Sequence, residues 1–141
     1  MAFFEDIEAG DELPPLQKRF HPARMMAYGA ATWDFIRLHY DVDYVKEQGF
    51  EAPFVDGQML GGILAQQVQD WAGPDAFLRR LSFRNRSMLF AGDSVTCRGT
   101  VARKFEEDGE ALVECQLWVE KPNGDRVVEP ASAVVRVPRK G

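Results

Sequence analysis

The stretch TWDFIRLHYD, Thr32–Asp41, sets Asp34 and His39, one of the chain's two histidines, among aromatic and branched apolar residues. An unperturbed imidazole titrates near about 6.5, so His39 can give or take a proton close to neutrality. A carboxylate aimed at the same water can share that work, and each positioned acid/base group typically contributes about 10²–10⁴-fold to a rate. Five residues apart on a regular helix, the two side chains would point in different directions, so a shared task requires an irregular segment between them. The apolar neighbours Trp33, Phe35, Ile36 and Leu38 are expected to keep bulk water away. Taken singly, Asp34 also suits a turn or cap, and His39 suits a core histidine bonded to a carbonyl. A metal pair of His39 and Asp41 lacks a third ligand, since the only other histidine is His21, and no metal site is expected.

The elements that must position this pair follow from patterning. ELPPLQKRF reads as a short strand whose two prolines suit an edge or a strand start. HPARMMAYGAAT reads as a short helix with Pro22 in its first turn and Met25, Met26 and Ala30 toward the core. DVDYVKEQG predicts a second short helix closed by Gly49. The strongest helical signal is DGQMLGGILAQQVQDWAGP, where Met59, Leu60, Ile63, Leu64, Val68 and Trp71 recur at three- and four-residue steps. Asp56 can cap its start, and Gly73-Pro74 ends it. Each interior glycine costs up to about 1 kcal/mol relative to alanine, so Gly57, Gly61 and Gly62 imply a close-approaching backbone or ligand.

From Arg80 onward LSFRNRS, SVTCRGTVARKF, EALVECQLWVEK and DRVVEPASAVVRVP read as strands. Asp108-Gly109 and Asn123-Gly124 between them are pairs preferred by two-residue hairpin turns. The expectation is one α+β domain over residues 1–141, an antiparallel meander wrapped around a long central helix.

Bulk properties narrow the function classes. A chain of 141 residues, 45% apolar and 28% charged, has the composition of a folded domain rather than a disordered or fibrous one. No apolar run approaches the roughly 20 residues of a membrane span, and MAFFEDIEAGDEL is acidic where a signal peptide is basic; a cytoplasmic location with no membrane partner is expected. Cys97 and Cys115 form no C-x-x-C pair and read as two buried free thiols. A net charge of −5 argues against nucleic acid. The densest basic cluster is Arg79, Arg80, Arg84 and Arg86 in LRRLSFRNRS, either a solvated strand face or a phosphate-binding patch. No nucleophile elbow, phosphate loop or dinucleotide fingerprint is present.

DFIRLHYD followed by APFVDGQMLGGILAQ resembles the signature of MaoC-like proteins, the R-specific enoyl-CoA hydratases and 3-hydroxyacyl-thioester dehydratases. LSFRNRSMLFAGDSV, with Gly92-Asp93, and IEAGDELP extend the resemblance over nearly the whole chain. It implies a hotdog fold and reversible hydration of a trans-2-enoyl-CoA to the (R)-3-hydroxyacyl-CoA, without metal or redox cofactor. Asp34 and His39 match the family's catalytic pair, and Gly57 matches the glycine whose N–H would meet the thioester oxygen. Asp56 and Gly62 would border the substrate, and Arg84 and Arg86 are candidates for the coenzyme A phosphates.

Three departures from the family pattern stand out. Asp56 replaces a usual His, Ile36-Arg37 replaces Asn-Pro, and Gly61, Gly62 and Ala65 stand where many members carry a serine. A homodimer is implied, because family members pair their sheets and an uncovered edge is a liability. The other readings are a subunit working beside a divergent MaoC-like partner on bulky, steroid-type acyl-CoA, and a hotdog thioesterase or binding module.

Overall fold

The computed structural model describes residues 1–141. Five antiparallel strands form one sheet in the order β1-β3-β4-β5-β2. They are β1 (Leu16–Arg19), β2 (Phe77–Asn85), β3 (Ser94–Glu107), β4 (Glu110–Glu120) and β5 (Arg126–Arg136). Three helices, α1 (Pro22–Thr32), α2 (Val42–Glu47) and α3 (Gly57–Ala72), precede β2. The α+β arrangement expected from the sequence is present, but β2 does not join the meander beside β3. It crosses to the far edge and pairs with β5, with Leu81 opposite Ala133 and Phe83 opposite Ala131.

The core lies between the sheet and α3. Leu60, Ile63, Leu64, Val68 and Ala72 on one helix stripe are buried with Val95, Val113, Leu117, Val119, Val128 and Val135 from the strands. β4 buries Ala111, Leu112, Val113, Cys115, Leu117 and Val119, so both faces of its first half are covered. Asp56 caps α3 by accepting from the Gln58 N–H at 2.9 Å, and Gly73 ends the helix at φ 91°.

The turns divide. Asp108 and Gly109 both take positive φ, 50° and 78°, as the tight turn between β3 and β4 requires. Asn123-Gly124 instead belongs to a longer loop: Lys121 N–H donates to Asp125 O, and Asn123 Oδ1 accepts from the Asp125 N–H. Pro130 lies in β5 although that strand is interior to the sheet. The register breaks there on both sides, between Val128 and Ala131, so its missing N–H removes no ladder bond.

Candidate active site

α1 starts at His21, whose Nδ1 accepts from the Ala23 N–H at 3.0 Å, with Pro22 in the first turn. Of the three residues expected on its core face, only Met25 is buried; Met26 and Ala30 are exposed. The helix ends where Trp33 adopts a left-handed conformation, φ 57° and ψ 34°. That turn swings the chain back, so the Asp34 N–H donates to Gly29 O at 2.8 Å. A Cβ at position 29 would lie 2.8 Å from Asp34 O, so the return is possible only over glycine.

The same turn carries the indole outward. Trp33 is 82% exposed, Phe35 51% and Ile36 53%, with the Trp33 and Phe35 rings edge to face at 5.0 Å. The expected apolar wall is therefore not closed within one chain, and only Leu38 of the four neighbours is half-buried. A left-handed helix end followed by extended backbone offers these side chains no core to enter.

His39 ends a short 3-10 turn, Arg37–His39, which Asp41 secures by bonding Arg37 at 2.9 Å and capping α2 through the Tyr44 N–H at 3.0 Å. Asp41 is thus a structural residue and not a partner of the imidazole. His39 Nδ1 stands 2.7 Å from Phe54 O. A carbonyl oxygen only accepts, which assigns a proton to Nδ1, so that in the neutral imidazole the lone pair is on Nε2. Phe54 is held in turn, its N–H donating to Leu38 O at 3.1 Å and its ring packing edge to face with His39 at 5.2 Å.

Asp34 and His39 converge, as their spacing on an irregular segment suggested, and Asp56 joins them. One side-chain donor atom from each of the three lies within 4.8 Å of the others. The neighbouring Asp56 carboxyl holds Asp34 below the ordinary carboxylate range, helped by the Ile36 N–H and the nearby His39. Burial pushes Asp56 itself upward, and its contact with Asp34 adds to the rise. Burial likewise raises the Tyr28 phenol, with the charges of Asp56 and Asp34 adding to it.

Two cavities meet at the imidazole. One, of about 280 Å³, runs from His39 and Asp34 past Met25, Gly29 and Tyr40. The other, of about 320 Å³, reaches from His39 over Gly57 to Asn85, Arg86 and Met88. The Gly57 N–H is among the first-turn amides of α3 that have no intrahelical acceptor, and the helix dipole favours negative charge beside it. The arrangement offers a carboxylate and an imidazole for one water, and an amide for an oxygen that gains charge.

The remaining candidates are spread out. Gly62 lines a separate cavity of about 310 Å³ with Arg24, Tyr28 and Met59. The position of Gly61 is closed by the Phe83 ring, so the close approach expected at this glycine is made by a side chain of β2. Arg86 borders the His39–Gly57 cavity while its Nε donates to Glu129 O at 2.6 Å. Arg84 is exposed on β2, and Arg79 is engaged by Glu110. Asn85 and Gly29 were not foreseen: Asn85 is one polar residue in a strand, and the need for Gly29 arises only once Trp33 reverses the chain.

No protein-family model matches the chain. Over 92 residues it is 34% identical to the 3-oxo-4,17-pregnadiene-20-carboxyl-CoA hydratase beta subunit of Mycobacterium tuberculosis, covering 65% of this chain and 71% of that protein. It is 28% identical over 138 residues to the (R)-specific enoyl-CoA hydratase of Aeromonas caviae, covering 95% and 98%. The solved (R)-hydratase of A. caviae superposes with a TM-score of 0.85 at 27% identity, covering 95% of this chain and 99% of that one. A MaoC-like dehydratase from Rhodospirillum rubrum shares the fold over 100% of both chains, with a TM-score of 0.81 at 19% identity. The chain belongs to the MaoC-like family of hydratases and dehydratases, and its curled sheet around α3 is the hotdog fold.

Proposed function

We propose that the protein is a hydro-lyase that reversibly hydrates a trans-2-enoyl-CoA to the (R)-3-hydroxyacyl-CoA. The observation that carries this reading is the convergence of Asp34 and His39 beside the start of α3, with His39 and Gly57 lining one cavity. In hydration, the Asp34 carboxylate and the His39 Nε2 lone pair hold one water. One of them takes a proton as the oxygen attacks the β-carbon, and a proton is delivered to the α-carbon. Charge that builds on the thioester oxygen meets the Gly57 N–H. These groups require no metal or redox cofactor, and coenzyme A enters as part of the substrate. Arg86 at the mouth of the cavity suits a phosphate, and Arg84 lies one step further along the same chain segment.

The second reading is a subunit of a heteromeric hydratase for bulky acyl-CoA. It is favoured by the relative named as a beta subunit and by the exposed Trp33, Phe35 and Ile36 next to the site. In the first reading a second copy covers the exposed edge and apolar residues, giving a homodimer. No helix is long and apolar enough to cross a membrane, in keeping with the proposed cytoplasmic location.

The test is the ultraviolet absorbance of the conjugated thioester across a panel of enoyl-CoA substrates. Loss of absorbance without release of free thiol, abolished by Asp34→Asn and by His39→Ala, supports the hydratase. Thiol release points to a thioesterase. Inactivity of the purified chain, with activity restored by a MaoC-like partner that co-elutes on size exclusion, selects the heteromeric subunit.

A further inference from the structure

Asp56 has a role the hydratase reading does not by itself supply. Its Oδ1 is committed to the Gln58 N–H at the start of α3, and its carboxyl shares one cluster with His39 and the Asp34 carboxyl, an atom of each within 4.8 Å of the others. Asp34 in turn accepts from the Ile36 N–H at 3.4 Å. Two ionised carboxylates have only acceptors to offer each other, and within 4.8 Å their like charges repel. We propose that Asp34 and Asp56 hold one proton between them, and that Asp56, donating it, is the positioning residue that keeps Asp34 ionised and aimed at the substrate water.

The surroundings decide which carboxyl carries the proton. The helix start and the Gln58 N–H favour a charged Asp56, but burial and the contact with Asp34 oppose them and prevail. Asp34 is the better solvated partner and has the Ile36 N–H and nearby His39 to stabilise its charge. The other groups around the pair are Tyr28 from α1, raised by the same charges, and Arg86 across the His39 cavity; Asn85, against Gly57, is neutral. The imidazole's Nδ1 proton is committed to Phe54 O, so His39 does not supply the bridging proton from that nitrogen. The pair behaves as a unit with two macroscopic steps, one below and one above the ordinary carboxylate range.

The inference about catalysis rests on the hydratase reading, but the proton itself can be observed without substrate. In chelator-treated protein labelled at the aspartate side-chain carbons, nuclear magnetic resonance should follow both carboxyls through two shared steps. In Asp56→Asn, which keeps a helix cap and a donor toward Asp34, the upper step should vanish and Asp34 should stay below the ordinary range. Independent titration of the two carboxyls at ordinary values overturns the pair. So does a depression of both that only the chelator relieves, because a bound cation would then be the bridge.

For the positioning role, the wild-type rate should fall about tenfold per pH unit above the upper step. Asp56→Asn should lose that alkaline limb, whatever its rate at neutral pH; an unchanged limb overturns the role. If the wild type hydrates no enoyl thioester while the shared titration stands, the hydratase reading fails, the positioning role fails with it, and the proton pair is retained.

Discussion

The ring of Phe83 stands so close to Gly61 that a Cβ at position 61 would lie 2.4 Å from its Cε1. The next residue, Gly62, has nothing within 4 Å of the same atom. Gly61→Ala forces the ring out of a packed position and should destabilise the protein by about 1–3 kcal/mol. Gly62→Ala adds helix propensity at an exposed site and should stabilise by up to about 1 kcal/mol. Denaturant midpoints of the two variants should move in opposite directions, and a shared direction would refute the packing assigned to Phe83.

A second pair of variants isolates the Gly57 amide. Proline is tolerated at the first position of a helix, and Asp56 already has the extended backbone, φ −60° and ψ 127°, that a following proline requires. Gly57→Pro therefore deletes the N–H while leaving the helix, and kcat should fall about 10²–10³-fold. Gly57→Ala keeps the amide and displaces only Asn85 Nδ2, which would be 2.5 Å from the new Cβ. It should retain most of the activity; equal losses in the two variants would remove the amide from the chemistry.

Local signals were the most legible part of the sequence. The cap at Asp56, the apolar stripe from Leu60 to Val68 and the tight turn at Asp108-Gly109 depend on neighbours within a few residues, and all are present. The position of β2 beside β5 depends on the whole sheet, so reading the strands in order placed it wrongly. The composition around Trp33 suggested burial, and the left-handed end of α1 reversed that outcome. At the site, Asp34 and His39 were readable because one short segment carries both. The approach of Asp56 to Asp34 joins residues separated by α2, and no spacing announces it.

Buried thiols make a probe of opening. Burial pushes both Cys97 and Cys115 up to about 12, and neither side has a disulfide partner. The thiolate fraction near neutrality is correspondingly minute. Alkylation of the native protein near pH 8 should run at least about a thousandfold slower than in denaturant. Rapid labelling of either cysteine, read by mass spectrometry, would contradict its burial.

Gln67 is the one buried polar residue, and its Nε2 donates to Pro14 O at 3.2 Å and Cys97 O at 3.0 Å. Gln67→Glu would set a carboxylate against two carbonyls, an uncompensated buried charge that costs about 3–5 kcal/mol at neutral pH. Burial raises the folded-state pKa of such a Glu, so the loss relative to wild type should be smallest below its unfolded value of about 4.3 and should grow as pH rises. A pH-independent difference in unfolding free energy would show that the side chain escapes to water.

β2 is the last strand on its side of the sheet, yet Phe83 abuts Gly61 and Asn85 abuts Gly57. One rim of the sheet therefore acts as a gauge against which the opening turns of α3 are seated. A second molecule that lengthens the sheet along this rim would grip the strand that sets where the helix begins. Assembly and the alignment of the Gly57 amide would then be mechanically joined through two side chains.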